Sequence, residues 1–350
     1  MAKGISSVSR RSVLKGAAAA GVIAGFPSIV RAQSKTLVTT LYGGIYEKNY
    51  RLAVIEPFEK KTGAKIEIKY GGSGEWFTSS VVNKDNPELD IAFLSLPVAM
   101  KAIKTKDVFI DLPLDLIPNA KDVDPIFYDL YDRKGVGFNY APYGMVYRTD
   151  KVSPAPTSWG DLWKPEYAGK VLLPDLSGGG AYETIVIAAI LNGGSETDLE
   201  PGYEALRKLK ENVFRFYKNN NEPVPIYEQA QAIIGGWYSA RAYAIADKGV
   251  PFDFTTPKEG SPVGVLSYHI AKNSPNRDLA VEFVNFSLSK EAQETFANNM
   301  EYGVVHKHAN ITGRARDRIT PHDQLMRLDW KKIEPQMSAM AERWQREIVS

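Results

Sequence analysis

The sequence predicts an α/β protein that is built as two lobes. From residue 36 onward, segments with strand periodicity alternate with segments of helical periodicity, which is typical of a parallel sheet covered by helices. The same order of strand, glycine-rich turn and helix returns after residue 170. Without a leader of 32 residues, the 350-residue chain keeps about 318 residues, more than one hydrophobic core usually serves.

The leader has the order of an export signal. Basic residues at Arg10 and Arg11 precede an apolar run over residues 16–29, and small residues surround a cleavable bond near Ala32. Residues 9–15 resemble a twin-arginine motif, and an ordinary secretory signal is the alternative. We therefore expect a signal peptide over residues 1–32 and a mature protein in the periplasm.

Composition excludes several classes of protein. The leader holds five of the 43 Lys and Arg residues and none of the 41 acids, so the remaining chain has a net charge of −3 and no basic block for nucleic acid. The absence of cysteine excludes disulfides, thiol catalysis and a lipid-tethered cysteine. No other segment is long and apolar enough to span a membrane. We expect a monomer that uses no cofactor.

The first lobe is predicted over residues 33–143. Its predicted strands are 36–41, 65–70 and 89–94, and its helices are 46–61, one that begins at Glu75, and 98–104. Gly63 is expected to end the first helix in the left-handed conformation. Ligands of open parallel sheets bind at the carboxyl ends of the strands. The candidate contacts in this lobe are therefore Tyr42, Gly43, Ser73 and Ser95.

The second lobe is predicted over residues 144–262. Its predicted strands are 170–173, 213–217 and 233–238, and its helices are 181–191, 202–211, 226–232 and 240–248, the last capped by Ser239. Strands 143–149 and 263–270 are expected to cross between the lobes. Residues 263–312, with helices 277–288 and 290–298, return to the first lobe. The charged tail over residues 313–350 contains an amphipathic stretch and could pack on either lobe.

Several motifs in this order resemble a known family. Residues 157–173 read TSWGDLWKPEYAGKVLL, and shorter matches are FEKKTG at 58–63, GMVY at 144–147 and AVEFVNF at 280–286. They are similar to the extracellular solute-binding proteins of the spermidine/putrescine type. The resemblance implies a type II periplasmic binding protein fold, in which two lobes close on one small ligand in the cleft. It also implies an ATP-driven importer, with a membrane permease and an ATPase as partners.

The resemblance and the strand ends together nominate further ligand contacts at the first crossover and in the second lobe. They are Tyr143, Asp175, Ser177, Gly178, Trp237, Tyr238 and Arg241. Polyamine-binding relatives carry an aromatic residue and a carboxylate at the return crossover, where this chain has Gly264, Val265 and Leu266. Glycine-serine loops at helix starts and Arg241 favour a ligand with an anionic head and an amine. A polyamine receptor and a receptor that serves a sensor are the alternative hypotheses.

Other interpretations of these residues also have to be weighed. Trp237 could equally belong to the core, and Arg241 could lie on the surface. His306 and His308 lack a nearby third ligand, so we expect solvated side chains and no metal. Residues 287–290 and 61–63 fit two short patterns of serine β-lactamases, but in the wrong chain order and without the third element. The sequence therefore predicts a binding protein and not an enzyme.

Overall fold

The computed structural model describes Met1, residues 36–321 and residues 324–350. The predicted twin-arginine motif and the cleavage site near Ala32 lie outside the described residues. Across the part of the chain that the structure describes, no helix is both long and apolar enough to cross a membrane.

The described residues form strands and helices in alternating order. The strands are β1 Thr36–Leu41, β2 Lys65–Tyr70, β3 Ile91–Ser95, β4 Val136–Arg148, β5 Val171–Pro174, β6 Val213–Tyr217, β7 Ile234–Tyr238, β8 Phe252–Thr255, β9 Ser261–Ile270, β10 Gly303–Val304 and β11 Leu325–Met326. The helices of the first half are α1 Ile45–Tyr50, α2 Glu56–Thr62, α3 Ser73–Val82, α4 Leu96–Ile103 and α5 Ile126–Asp129. The later helices are α6 Ala181–Leu191, α7 Glu200–Leu209, α8 Pro223–Glu228, α9 Ser239–Ala246, α10 Arg277–Ser287, α11 Lys290–Met300, α12 Gly313–Arg318, α13 Trp330–Ile333 and α14 Met337–Arg343.

The first lobe is built on a mixed sheet in the order β2-β1-β3-β9-β4. The pairs β1 with β2 and β1 with β3 are parallel, whereas β9 pairs antiparallel with both β3 and β4. A π-helical turn over Arg51–Ile55 joins α1 to α2, so the predicted helix over 46–61 is one continuous helical segment. Gly63 ends it with φ 70°, as predicted.

The second lobe repeats this arrangement in the order β6-β5-β7-β4. Its strands β5, β6 and β7 are parallel to one another, and β4 is antiparallel to β7 and to β8. The carboxyl ends of the parallel strands in each lobe are therefore followed by turns and helix starts, where the sequence places the candidate contacts. The expected α/β fold with two lobes is confirmed.

Strand β4 joins the two sheets and is longer than predicted. Its first half pairs with β9 up to Pro142, and its second half pairs with β7 from Tyr143 onward. All 13 residues of the strand are buried. A strand that is covered on both faces shows no alternation of polar and apolar residues, and this explains why the sequence indicated only its second half.

Several predicted helix starts are too late in the chain, and α3 and α9 are the two that bear on the candidate site. Helix α3 begins at Ser73, two residues before the predicted start at Glu75. Helix α9 begins at Ser239 itself, with Tyr238 at the N-cap position and no side-chain capping bond. The Ser239 hydroxyl is buried and has no hydrogen-bond partner among the described residues, because it lies one residue too late to accept from the first turn.

The C-terminal tail contacts both lobes. Its strand β11 pairs in parallel with the start of β9. Further along, Lys331 forms an ion pair with Asp132 of the first lobe at 2.9 Å. Trp344 donates a hydrogen bond to Asp175 of the second lobe at 2.9 Å. The sequence left open which lobe the tail would cover, and the structure shows that it covers part of each.

Candidate functional site

The first lobe presents three of the predicted contacts as one hydrogen-bonded group. Ser73, at the start of α3, accepts a hydrogen bond from the Ser95 backbone N–H at 2.9 Å. The Tyr42 hydroxyl, directly after β1, lies 2.6 Å from the same Ser73 oxygen. Tyr42 follows the carboxyl end of β1, Ser73 begins α3 and Ser95 ends β3, so the sheet topology brings them together. We call Tyr42, Ser73 and Ser95 the serine-tyrosine wall.

An indole ring backs this wall. The rings of Trp76 and Tyr42 lie 4.9 Å apart with a 54° tilt. The Trp76 indole N–H is buried without a hydrogen-bond partner among the described residues. Burial raises the pKa of Tyr42, so its hydroxyl stays protonated at neutral pH. Gly43, another predicted contact, is exposed at the rim of this lobe.

The second lobe contributes a pair of tyrosines. Tyr143 is fully buried, stacks on Trp159 at 5.3 Å and lies with its hydroxyl 2.9 Å from the Thr184 hydroxyl. Tyr238, at the end of β7, is half-buried and meets the Tyr143 ring edge-on at 5.7 Å. Tyr143 therefore seals the junction between the sheets, and Tyr238 is the member of the pair that is open to a ligand.

The two lobes approach each other at Tyr238. Burial raises the pKa of Tyr238 well above its ordinary value, and the neighbouring Glu183, Tyr143, Tyr302 and Tyr42 raise it further. Tyr42 and Tyr302 come from the first lobe, and the Tyr238 ring lies beside Gly264 of β9 in the first sheet, so the end of β7 borders the lobe that carries the serine-tyrosine wall. The candidate site is the space between them.

A buried acid lies beside this space. Glu183 stands in the first turn of α6 and is 2% exposed. Its Oε2 atom has no hydrogen-bond partner among the described residues. Burial raises the pKa of this carboxyl to about 7, and Glu183 in turn raises the pKa values of Tyr143 and Tyr238. A buried carboxylate without a partner is costly, so a cationic group that reached it would be bound strongly.

Glu183 was missed at the level of sequence because the helix AYETIVIAAIL is otherwise almost wholly apolar. A single acid in the first turn of an apolar helix, directly after a triple-glycine loop, is the signal that could have found it. An ionisable group with a perturbed pKa in a cleft is a recognised indication of a functional site.

The glycine loop before α6 packs closely on its surroundings. Ser177 is exposed, whereas Gly178 is buried and its carbonyl accepts a hydrogen bond from Asn220 at 2.9 Å. A side chain at Gly178 would meet the Tyr217 carbonyl oxygen at 2.5 Å. The loop is therefore held against β6, with Ser177 projecting from it toward solvent.

Two predicted contacts have structural partners in the second lobe. Trp237 is fully buried, lies in a core cluster with Tyr227, and donates its indole N–H to Asn220 at 2.9 Å. Asp175 is buried and accepts hydrogen bonds from Trp344 at 2.9 Å and from Gln345 at 3.2 Å. Of the two interpretations weighed for Trp237, the structure agrees with the core. Neither residue enters the site that we describe.

Arg241 remains near the site. It lies in the first turn of α9, three residues after Tyr238, and its guanidinium donates a hydrogen bond to the Asn221 side chain at 3.2 Å. The neighbouring Asn220 holds the glycine loop at Gly178. Arg241 is half-buried, so part of its surface is open to a ligand.

The histidines near the end of the first lobe behave differently from the prediction. His306 is buried, and its Nδ1 accepts a hydrogen bond from the backbone N–H of His308 at 3.1 Å. The expectation that both are solvated is wrong for His306, because the chain folds back onto the Gln293 side chain at this point. Among residues 36–321 and 324–350, no group of three or more His, Asp or Glu side chains could hold a metal ion.

These features define a two-lobed α/β protein whose polar and aromatic side chains converge between the lobes. The family of bacterial extracellular solute-binding proteins matches residues 53–311. The chain belongs to this family. The predictions of a solute-binding protein and of its family are therefore confirmed, and the family is one of binding proteins and not of enzymes.

Individual relatives extend over most of the chain. The spermidine/putrescine-binding periplasmic protein of Escherichia coli is 26% identical over 294 residues, which cover 81% of this chain and 82% of the relative. The gamma-aminobutyric acid-binding protein of Pseudomonas aeruginosa is 24% identical over 296 residues, covering 81% and 80%. A solved ABC transporter structure from Clostridium perfringens superposes with a TM-score of 0.76 at 26% identity, covering 89% of this chain and 99% of that one.

Proposed function

We propose that this chain is the periplasmic substrate-binding component of an ABC importer and that its solute is a short zwitterion with an ammonium group and a carboxylate. Relatives support the general role, because they are named as periplasmic binding proteins and as an ABC transporter. The ligands in the names of two relatives, a polyamine and gamma-aminobutyric acid, share a primary ammonium group. That shared group is the first requirement of the proposed ligand.

The observation that carries the proposal is the buried carboxylate of Glu183, whose Oε2 atom has no hydrogen-bond partner among the described residues. Tyr143 and Tyr238 lie close enough for Glu183 to raise their pKa values. An ammonium ion gains from a carboxylate and from aromatic faces at once, and it would remove the cost of the unpaired buried charge. In the proposed complex the ammonium end of the solute therefore binds at Glu183.

The proposed carboxylate contact is Arg241. The tail already donates hydrogen bonds to Asp175. The proposal therefore rests on two other charged residues at the carboxyl edge of this lobe, the acid Glu183 and the base Arg241. A ligand with one charge of each sign complements this pair. The serine-tyrosine wall of the first lobe supplies hydroxyl groups to the solute when the lobes close.

Closure is proposed to bend the two crossing strands. Strand β4 changes partners between Pro142 and Tyr143, and β9 runs beside it at Val263 and Gly264. A change of the backbone angles at these positions would move the serine-tyrosine wall toward Tyr238. The solute stabilises the closed state to the extent that it binds both walls at once.

Titration calorimetry with three small ligands tests the proposal. We expect 4-aminobutyrate to bind, and butyrate and butylamine to bind weakly, because each of them lacks one of the two charges. Glu183→Gln should weaken 4-aminobutyrate by roughly tenfold to hundredfold, the range of a charge-assisted hydrogen bond. Glu204→Gln, the same change at an exposed acid of α7, is the matched control. Full affinity in Glu183→Gln would exclude the proposed ammonium site.

A polyamine is the second candidate, favoured by the similarity to the spermidine/putrescine-binding protein of Escherichia coli. It predicts tight binding of putrescine that is unchanged by Arg241→Gln. The zwitterion predicts a loss of 4-aminobutyrate affinity in the same variant, because a carboxylate loses its cationic partner. One variant and two ligands therefore separate the candidates.

A further inference from the structure

The Tyr238 ring occupies a space that two glycines leave open. A methyl group at Gly264 would lie 2.9 Å from the Tyr238 Cε1 atom and 3.2 Å from its hydroxyl oxygen. A methyl group at Gly179, on the loop before α6, would lie 3.1 Å from the same oxygen. Ordinary carbon contacts begin near 3.4 Å. Any side chain at Gly264 would therefore displace the ring or the strand beneath it.

A third side of the ring is closed by Tyr143. The Tyr143 ring has little room to move, because Trp159 stacks on it at 5.3 Å and the Tyr143 hydroxyl lies 2.9 Å from the Thr184 hydroxyl. Gly179 has φ 77°, a conformation that favours glycine, so a side chain at this position would be strained as well as close to the ring. A displaced Tyr238 ring therefore moves away from Gly264, Gly179 and Tyr143.

We propose that Gly264 is a specificity-determining residue, because it lets the Tyr238 ring fold back onto β9 and so sets the length of solute that fits between the lobes. This inference rests on the proposed function, in which an ammonium solute binds at Glu183. A larger residue at position 264 pushes the Tyr238 hydroxyl into the solute space and shortens it. A smaller side chain at position 238 lengthens the space.

A series of amino acids of increasing chain length tests the inference. The dissociation constants of 4-aminobutyrate, 5-aminovalerate and 6-aminohexanoate are measured by calorimetry for the wild-type chain and for Gly264→Ala. We expect Gly264→Ala to weaken the longest acid that the wild-type chain binds by about tenfold more than the shortest, as one extra methyl group in a packed site would. Thermal unfolding without ligand shows whether the variant is folded.

A second variant separates the effect on the site from a general loss of packing. In Gly264→Ala with Tyr238→Leu, the added methyl group has no ring to displace, so the affinity for the longer acids should return toward or above the wild-type value. An equal loss for all three acids, or a loss that Tyr238→Leu does not reverse, would overturn the inference. If the wild-type chain binds no amine at all, the proposed function is wrong, and the inference about Gly264 that rests on it is wrong as well. If the wild-type chain binds the three acids and Gly264→Ala leaves the ratio of the dissociation constants of the longest and shortest acids unchanged, only the role of Gly264 is overturned.

Discussion

Trp344, six residues from the C-terminal end of the sequence, donates its indole N–H to the Asp175 carboxylate at 2.9 Å, and both side chains are buried. Asp175 directly follows β5, the position at which the sequence predicted an acid that contacts the ligand. The tail instead supplies its partners, since Gln345 donates to the same oxygen at 3.2 Å. The hydrogen bonds from the tail thus explain why a buried carboxylate stands at this strand end.

Removal of this hydrogen bond should lower stability and leave solute affinity nearly unchanged. Trp344→Phe deletes one donor to a buried carboxylate, so we expect the free energy of unfolding to fall by about 1–3 kcal/mol. Denaturant unfolding measures the change. Trp163→Phe deletes an indole N–H that bonds the neutral carbonyl of Ala205 at 2.8 Å from a half-buried position, and it should cost less. A large loss of affinity with unchanged stability would contradict this interpretation.

The hydroxyl of Ser73 should matter for binding, because it organises the serine-tyrosine wall. Ser73→Ala leaves the Ser95 N–H without an acceptor and releases the Tyr42 hydroxyl. We expect solute affinity to fall by about tenfold, the cost of one unmade hydrogen bond. Ser79→Ala on the same helix removes a hydroxyl that contacts Asn83 at 3.3 Å and serves as the control. Equal affinities of the two variants would exclude a role for the wall.

Solute binding should depend on pH through Glu183. Burial raises the pKa of this carboxyl to about 7, so below that value the free protein holds it increasingly protonated and unable to pair with an ammonium group. We expect the affinity for 4-aminobutyrate to fall by up to about tenfold per pH unit below 7. Calorimetry between pH 5 and pH 8 measures it, and Glu183→Gln should remove most of this dependence.

The same group should make the unliganded protein less stable as pH rises. The unfolded chain releases the Glu183 proton near its ordinary pKa, roughly 4.3, and the folded chain releases it only near 7. Between these values the folded state binds more protons than the unfolded state, so the contribution of Glu183 to the free energy of unfolding declines with pH and levels off above 7. Glu183→Gln should therefore unfold at a higher temperature than the wild-type chain at pH 8. A lower midpoint would argue that Glu183 has a stabilising partner.

Arg318 should stabilise the fold through ion pairs with acids at the ends of two helices. Its guanidinium bonds Asp247, just after α9, at 2.7 and 2.9 Å, and Glu301, just after α11, at 2.8 Å. We expect Arg318→Gln to lower the free energy of unfolding by about 1–2 kcal/mol, because the groups are only partly exposed. The difference should shrink in 1 M salt, which screens partly exposed charges. Arg316→Gln, which removes an exposed arginine beside the Ile311 carbonyl, should change stability little at either salt concentration.

Local patterns predicted the bounds of several regular elements correctly. Strand β6 and helix α6 have the predicted bounds, and so do β1 and β2. Gly63 adopts the left-handed conformation that its place after a helix indicated. The same reasoning missed the first half of β4, since a strand that is buried on both faces carries no alternation.

The candidate site was predicted in part. Tyr42, Ser73 and Ser95 come together because the sequence placed them at strand ends or at the helix start that follows one, and the parallel sheet aligns those positions. The acid of the candidate site was not predicted. Asp175 and Glu183 both lie near the end of β5, and sequence position favoured the first of them.

The sequence by itself determined the α/β class, the alternation of strands and helices, the family and the edge of each sheet at which the candidate contacts lie, because these follow from periodicity and from motifs that are local in the chain. Only the tertiary structure decided which of the two acids is hydrogen-bonded by the tail. Asp175 is occupied because a tail that lies 169 residues away returns to it, whereas Glu183 has no such partner among the described residues. Partners that are distant in the chain decide the chemistry of a buried charge, and no local pattern records them.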